Sequence, residues 1–209
     1  MTGADLAFDG RGGTATGEMR PRGRVSIVAT GGTIEKTYSE LGGELSNRLD
    51  EPVKVLDVML GRLELPELEI ARVSLMNKDS LDMTEADHAL IAETVERELA
   101  GHGAVVVVHG TDRLATTGER ILEHLRANGA MSGPVVLTGA MRPFELRRTD
   151  AVQNLTEALL AVRLLPPGVY CAMHNEVLTF PGVVKDRARS RFRRALPDET
   201  PATGLERRP

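Results

Sequence analysis

Short, wholly apolar runs alternate along this chain with longer stretches whose apolar residues recur every three or four positions. Val25-Ser26-Ile27-Val28-Ala29, Val105-Val106-Val107-Val108, Val135-Val136-Leu137 and Val169-Tyr170-Cys171-Ala172-Met173 read as buried strands. A further strand, residues 68–75, alternates apolar and polar side chains as a half-buried strand does. Helical periodicity predicts a short helix over 53–60 and longer ones over 85–100, 116–128 and 150–165. Thr84 suits the N-cap of the second, with Glu85 and Asp87 in its first turn, Gly101 just past its end and Leu90, Ile91, Val95 and Leu99 on its buried face. Gly129 closes the third helix, and Pro166-Pro167-Gly168 ends the fourth. Residues 176–185 read as a hairpin, and the polar, glycine-containing loop over 35–49 has the length of an active-site lid. Alternating strand and helix predicts α/β architecture: a three-layer sandwich around a mainly parallel sheet, with a C-terminal hairpin.

Composition narrows this picture. The 209 residues suffice for one domain with a real core. A net charge of -4 favours neither nucleic acid nor an anionic membrane as partner. Without Trp, and with two Tyr and four Phe, the core must be aliphatic. The single cysteine, Cys171, excludes an internal disulfide framework and fits a reducing, cytoplasmic setting; within a buried strand it reads as an inert thiol. Residues 1–23 are rich in glycine and charge and lack the apolar core of a signal peptide, so we expect a disordered extension, or in part a misassigned start. The polar residues 196–209 read as a flexible tail, leaving 24–195 as the folded domain.

Three of the apolar runs end at clusters of Gly, Thr and polar residues: Thr30-Gly31-Gly32-Thr33, His109-Gly110-Thr111-Asp112 and Thr138-Gly139-Ala140-Met141-Arg142-Pro143. Parallel strands line up their C-terminal ends along one edge, where α/β sheets bind ligands. The clusters therefore predict one crevice holding two threonines, an aspartate and free backbone N–H groups, which is equipment for acyl chemistry. The first two clusters, and Lys185 downstream of them, also have plainer readings. The first is a tight turn, Asp112 is the N-cap of the following helix, and Lys185 is a surface lysine. His109 is assigned a structural role against the neighbouring turn. Neither a G-x-G-x-x-G nor a P-loop sequence is present, and the histidines lack metal-ligand spacing. A threonine nucleophile needs a base, and Lys185 is the candidate, provided that burial or nearby cations depress its pKa.

In order along the chain, Ala29-Thr30-Gly31-Gly32-Thr33-Ile34, Lys78-Asp79-Ser80-Leu81-Asp82-Met83, His109-Gly110-Thr111-Asp112, Thr138-Gly139-Ala140-Met141-Arg142-Pro143 and Asp150-Ala151-Val152-Gln153-Asn154-Leu155 resemble the bacterial-type L-asparaginase/glutaminase family, in its short single-domain form. The resemblance implies a Rossmann-like sheet without the family's second, smaller domain. It implies Thr33 as the nucleophile, Tyr38 on the mobile loop as its assistant, and Thr111, Asp112 and Lys185 as the group that relays a proton or activates water. Ser80 would bind a substrate α-carboxylate and Asp112 its α-ammonium, while Gly32 and Ala140 would line the pocket. Leu81 stands where many members carry a polar residue that recognises the amino group, which weakens amino-acid recognition.

The function expected is hydrolysis of the side-chain amide of L-asparagine, or of a related small amide, to a carboxylate and ammonia, with no metal or other cofactor. A homo-oligomer of two or four subunits is expected, with neither nucleic acid nor membrane as partner. Two readings compete: a non-catalytic module that senses an amino acid with a retained pocket, and an oligomeric scaffold with a vestigial site. The basic run Arg187, Arg189, Arg191, Arg193, Arg194 reads as a solvated face or an intersubunit salt-bridge surface.

Overall fold

A computed structural model describes residues 23–47 and 54–197. The expected N-terminal extension and C-terminal tail lie almost wholly outside the described residues.

The chain opens with strand β1 (Arg24–Gly31), a 3-10 turn at Thr33–Glu35, and a small hairpin of β2 (Thr37–Ser39) and β3 (Glu44–Ser46). Helix α1 (Val55–Leu60) and strand β4 (Glu69–Lys78) follow, then a second 3-10 turn at Ser80–Asp82. Four units of regular structure come next: α2 (Glu85–His102), β5 (Val105–Val108), α3 (Leu114–Ala127) and β6 (Pro134–Thr138). Helix α4 (Ala151–Leu164) leads to β7 (Gly168–Met173), and β8 (Glu176–Thr179), β9 (Val183–Asp186) and β10 (Arg191–Arg194) complete the described chain.

Six strands form one sheet in the order β4-β1-β5-β6-β7-β8. All neighbours are parallel except β8, which runs antiparallel to β7. Helices cover both faces, so the α/β sandwich expected from the sequence is the fold observed. Side chains alternate across the sheet with period two. Val25, Ile27, Ala29, Val106 and Val108 face the layer that contains Leu155, Ala158, Leu159 and Val162 of α4. Val28, Val105, Val107, Val135 and Leu137 face Ile91, Val95 and Leu99 of α2 and Ile121 and Leu125 of α3. Ser26 lies among the second set, and its hydroxyl donates to Glu98 Oε2 at 2.9 Å, which satisfies a polar group in an apolar layer.

Several boundaries differ from expectation, each for a physical reason. Helix α2 runs through Gly101 and stops at Gly103, whose φ of 75° lets its N–H turn back to the Leu99 carbonyl. Leu90, expected on the buried face, is exposed, while His88, Ala92 and Thr94 are buried with Ile91, Val95 and Leu99. Residues 176–185 do not form a hairpin. β8 folds back on β7, and β9 pairs with β10 after the Phe180-Pro181 turn, so the antiparallel hairpin lies one strand further on. The long loop after β1 carries the β2–β3 hairpin.

Strand order places the candidate site. The chain leaves β1 for β4 on one side and returns to β5 on the other, so the connections diverge between β1 and β5, the position where ligands bind in such sheets. At that point the turns after the two strands meet backbone to backbone. A Cβ on Gly32 would lie 2.3 Å from the Gly110 Cα, and one on Gly110 would lie 2.6 Å from Ser80 Oγ. Gly32 has φ 80°, which also disfavours any side chain there. Residues next to Thr33, Thr111 and Ser80 are thereby pressed together. The Thr30 hydroxyl donates to the Val108 carbonyl at 3.0 Å, tying the same two strands.

These contacts have measurable consequences for stability. Thr84 and Asp87 form a reciprocal capping box at the start of α2. Burial alone would raise the Asp87 pKa, but bonds from Lys78 and from Thr84 outweigh it and pull the carboxyl from 3.8 to about 2. Its folded-state pKa is depressed, so the stability it contributes is complete above 3.8 and is lost as pH falls through about 2. In urea unfolding at neutral pH, Thr84→Ala is expected to cost about 1 kcal/mol, and Asp87→Asn to remove an acid-sensitive component that the wild type shows below pH 4. Gly32→Ala should cost about 2 kcal/mol or more, since backbone must move as well as adopt an unfavourable φ. Gly129→Ala is the control, with φ 61° but nothing within 4 Å of its Cβ, and should cost about 1 kcal/mol. Equal losses at the two glycines would show that the turns do not need their close approach.

Candidate active site

The turn after β5 supplies Thr111 and Asp112, and β9 brings Lys185 to them. Lys185 Nζ donates to Thr111 Oγ1 at 2.7 Å and to Asp112 Oδ1 at 3.3 Å. Thr111 is buried, and the Lys185 side chain is only 15% exposed. Burial depresses the Lys185 pKa, and the neighbouring Arg187 adds to that; the Asp112 carboxylate opposes both without cancelling them. A hydroxyl, an amine of lowered basicity and a carboxylate thus form one hydrogen-bonded group. Asp112 is not a helix cap: Arg113 takes that position for α3, with no side-chain cap bond.

Ser80 is buried behind this group. Its hydroxyl accepts the Arg113 N–H at 3.4 Å. Asp79, the preceding residue, accepts from the Leu81 N–H and from Lys36 Nζ, the latter at 2.8 Å. These bonds outweigh the effect of its partial burial and lower the Asp79 pKa, and the Asp79 charge is felt at Lys185.

Thr33 begins the 3-10 turn directly after Gly32 and is half-buried. The turn is held from two sides: Gly32 N–H donates to the Lys78 carbonyl at 2.9 Å, and Asn47 Nδ2 donates to the Gly32 carbonyl at 2.9 Å. Of the N–H groups expected to be free for an anion, that of Gly32 is therefore already committed. Tyr38 lies on β2, 53% exposed, with its backbone N–H donating to Glu145 Oε2 at 2.8 Å. That bond ties the hairpin to the segment after β6; the Tyr38 side chain is not packed into the Thr111–Lys185 group. Ala140 carries no exposed surface and packs in the apolar layer with α4, so it does not line an open cavity here.

His109 and the last two motifs act as scaffold. His109 is fully buried; its Nδ1 bonds the Gly110 carbonyl at 2.7 Å and its Nε2 the Thr117 hydroxyl at 2.8 Å. Burial drives its pKa down to about 4, so it is a neutral ring that fixes the turn carrying Thr111. Asp150 gathers the turn after β6: its carboxylate accepts the N–H groups of Met141 and Arg142 at 3.0 and 2.9 Å, Asn154 Nδ2 at 2.9 Å and His174 Nε2 at 2.8 Å. A cleft of about 660 Å³ opens beside that turn, lined by Arg142, His174, Glu176 and Arg191 among others, and contains none of the site residues named from the sequence.

Sequence reading missed Arg187. Its Nη1 lies 2.7 Å from Asp112 Oδ1, the same oxygen that Lys185 approaches. Arg187 lies just beyond β9, at the start of the turn to β10, so strand periodicity does not place it. Lys36 and Asn47 were missed as well, because the loop that carries them has no apolar pattern to place it.

Cys171 is buried and its thiol pKa is raised by that burial, so it is inert as expected. Among the described residues no helix is long and apolar enough to cross a membrane.

Comparison with known proteins agrees with the fold. The family model described as "Asparaginase, N-terminal" matches residues 24–195. The chain is 29% identical over 155 residues to an L-asparaginase of Thermococcus kodakarensis, covering 74% of this chain and 45% of that protein. It is 31% identical over 147 residues to L-asparaginase 1 of Escherichia coli, covering 68% of this chain and 41% of that protein. It is also 36% identical over 144 residues to a glutamyl-tRNA(Gln) amidotransferase component of Pyrobaculum aerophilum, covering 68% of this chain and 33% of that one. The solved thermostable L-asparaginase from Thermococcus kodakarensis superposes with a TM-score of 0.68 at 27% identity, over 82% of this chain and 51% of that structure. The chain thus spans about half or less of the length of these proteins, and the portion it spans is the one the family model describes. With the motifs, the parallel sheet and the family model in agreement, this chain belongs to the asparaginase family, by its N-terminal domain.

Proposed function

We propose that this chain hydrolyses a small carboxamide, L-asparagine or a related amide, to the carboxylate and ammonia. The observation that carries the reading is the 2.7 Å bond from Lys185 Nζ to Thr111 Oγ1 inside a buried group whose lysine has lost part of its basicity. Such a pair is suited to moving a proton; a lysine serving only as a surface charge would have no reason to be buried against a threonine hydroxyl.

In this mechanism the Thr33 hydroxyl adds to the amide carbon and its proton passes to the leaving nitrogen. Collapse of the tetrahedral intermediate breaks the C–N bond, releases ammonia and leaves an ester on Thr33. Lys185, neutral in a fraction of molecules that grows as pH rises, accepts the Thr111 proton, and Thr111 in turn takes a proton from the water that attacks the ester. The acyl C–O bond breaks and the proton on Lys185 returns to the Thr33 oxygen. Asp112 orients the lysine, and His109 holds the turn on which Thr111 and Asp112 stand. Tyr38 assists Thr33 once the β2–β3 hairpin moves inward over the substrate. No cofactor enters the scheme. The similarity to an amidotransferase component supports amide-to-ammonia chemistry and keeps glutamine within the substrate class to be tested. Self-association into a dimer or tetramer, residence in the cytoplasm and a folded unit over 24–195 are parts of the same proposal.

Purified protein should release ammonia from one or more members of a panel of small amides. Lys185→Met should lower the rate by about 10²–10⁴-fold, and Thr33→Ala should abolish it. Because the Lys185 pKa lies below its ordinary 10.5, the wild-type rate should rise with pH through a midpoint below that value, a limb absent from Lys185→Met. Rates insensitive to both substitutions would overturn the assignment. Ligand-induced thermal stabilisation without ammonia from any amide would instead mark a sensing module.

A further inference from the structure

Within that proposed activity, which this inference rests on, the two groups expected to recognise an amino acid are already engaged inside the protein. Ser80, expected to hold an α-carboxylate, is 1% exposed and its hydroxyl faces the Arg113 N–H. Asp112, expected to hold an α-ammonium, bonds two cations through one oxygen: Lys185 at 3.3 Å and Arg187 at 2.7 Å. A substrate ammonium would be the third cation on one carboxylate, left with Oδ2 and repelled by the Lys185 and Arg187 charges that share Oδ1.

The charges around the site point the same way. Lys185, Arg187 and Lys36 are set against Asp112 and Asp79, each acid bonded to at least one of the three bases. With Lys185 protonated the five charges leave an excess of one positive; with Lys185 neutral they balance. A substrate that brings a carboxylate and no ammonium neutralises that excess, whereas a zwitterion leaves it in place and adds a repulsive contact. Arg187 is also the cation with donors to spare: its side chain is 53% exposed, and its bond to Asp112 is made through Nη1. Guanidinium carries five N–H donors in a fixed fork, so the edge turned away from Asp112 remains able to receive a carboxylate.

We infer that Arg187 is the specificity-determining residue of this site, weakening the hold of Asp112 on an α-ammonium, offering its own free edge to a carboxylate, and so selecting monoamides of dicarboxylic acids that lack the amino group, the succinamate class. The bond broken is the amide C–N bond, as for asparagine; water supplies the oxygen of the new carboxylate, and ammonia leaves.

The test compares wild type, Arg187→Gln and Arg187→Lys with succinamate and L-asparagine as substrates, reading kcat and KM separately by ammonia release, and with succinate and L-aspartate as ligands, reading thermal stabilisation. Wild type should favour succinamate in kcat/KM by about tenfold or more, the size of one charged hydrogen bond. Arg187→Gln should reduce that preference about tenfold, chiefly through KM, and Arg187→Lys should restore part of it. A wild-type preference for asparagine, or a ratio unchanged by Arg187→Gln, would overturn the inference while leaving amide hydrolysis intact. If neither amide is hydrolysed, the proposed activity fails, and the ligands still decide the selectivity. Succinate stabilising wild type more than aspartate, with the difference lost in Arg187→Gln, supports it; equal stabilisation overturns it.

Discussion

Everything at this sheet edge depends on how closely two turns approach. Gly32 and Gly110 touch backbone to backbone because neither carries a Cβ, and a methyl on Gly32 would sit 2.3 Å from its neighbour's Cα. That contact brings the residue after β1 beside the residue after β5, at the position where the sheet's connections diverge. Strand pairing alone holds β1 and β5 in register only from Ser26 opposite Val105 to Ala29 opposite Val108. Beyond the last pair, the glycines, the Thr30 bond to Val108 and the His109 bonds carry the alignment. The geometry of the site is therefore a property of turn packing, supported by an aliphatic core that makes the strands below it rigid.

Charge organises the second layer of the site. One carboxylate, Asp112, serves two bases and so determines how each behaves. Lys185 stays in reach of Thr111 but is kept from full basicity by burial, and Arg187, sharing the same oxygen, adds to that depression. The arrangement resembles general-base sites in which a lysine is tuned by desolvation and a neighbouring cation rather than by distance from acids. It also means that Asp112 meets any ligand with a charge that two cations already share through one of its oxygens.

Much of this was legible in the amino-acid sequence, and what was not has identifiable causes. Valine runs such as Val105–Val108 admit only a strand buried on both faces, and their common stops at Gly and Thr marked the ligand-binding edge. The convergence of Lys185 on Thr111, 74 residues away, was not legible from the pattern and entered through resemblance to a family, because β9 is short and its surroundings repeat no period. The hairpin over 176–185 was misread for the same reason: β8 and β9 are each four residues long, and their pairing is decided by β7 and β10, which local sequence does not encode. Gly101 comes first and so reads as the helix stop, but Gly103 is the one placed to adopt positive φ at the end of the buried face. Arg187 reads as part of a solvated or intersubunit basic face, not as a site residue, because four other arginines stand within the same eight residues.

The central claim is that Thr33 and the Thr111–Lys185 pair act on one substrate in one crevice. Acid-quenching the protein during turnover of a hydrolysed amide, followed by proteolysis and mass spectrometry of the peptides, tests it most directly. The account predicts an acyl group on the peptide bearing Thr33, accumulating when Lys185→Met slows its hydrolysis. An acyl group confined to peptides remote from both turns, or ammonia release with no acylated peptide in either protein, would contradict it.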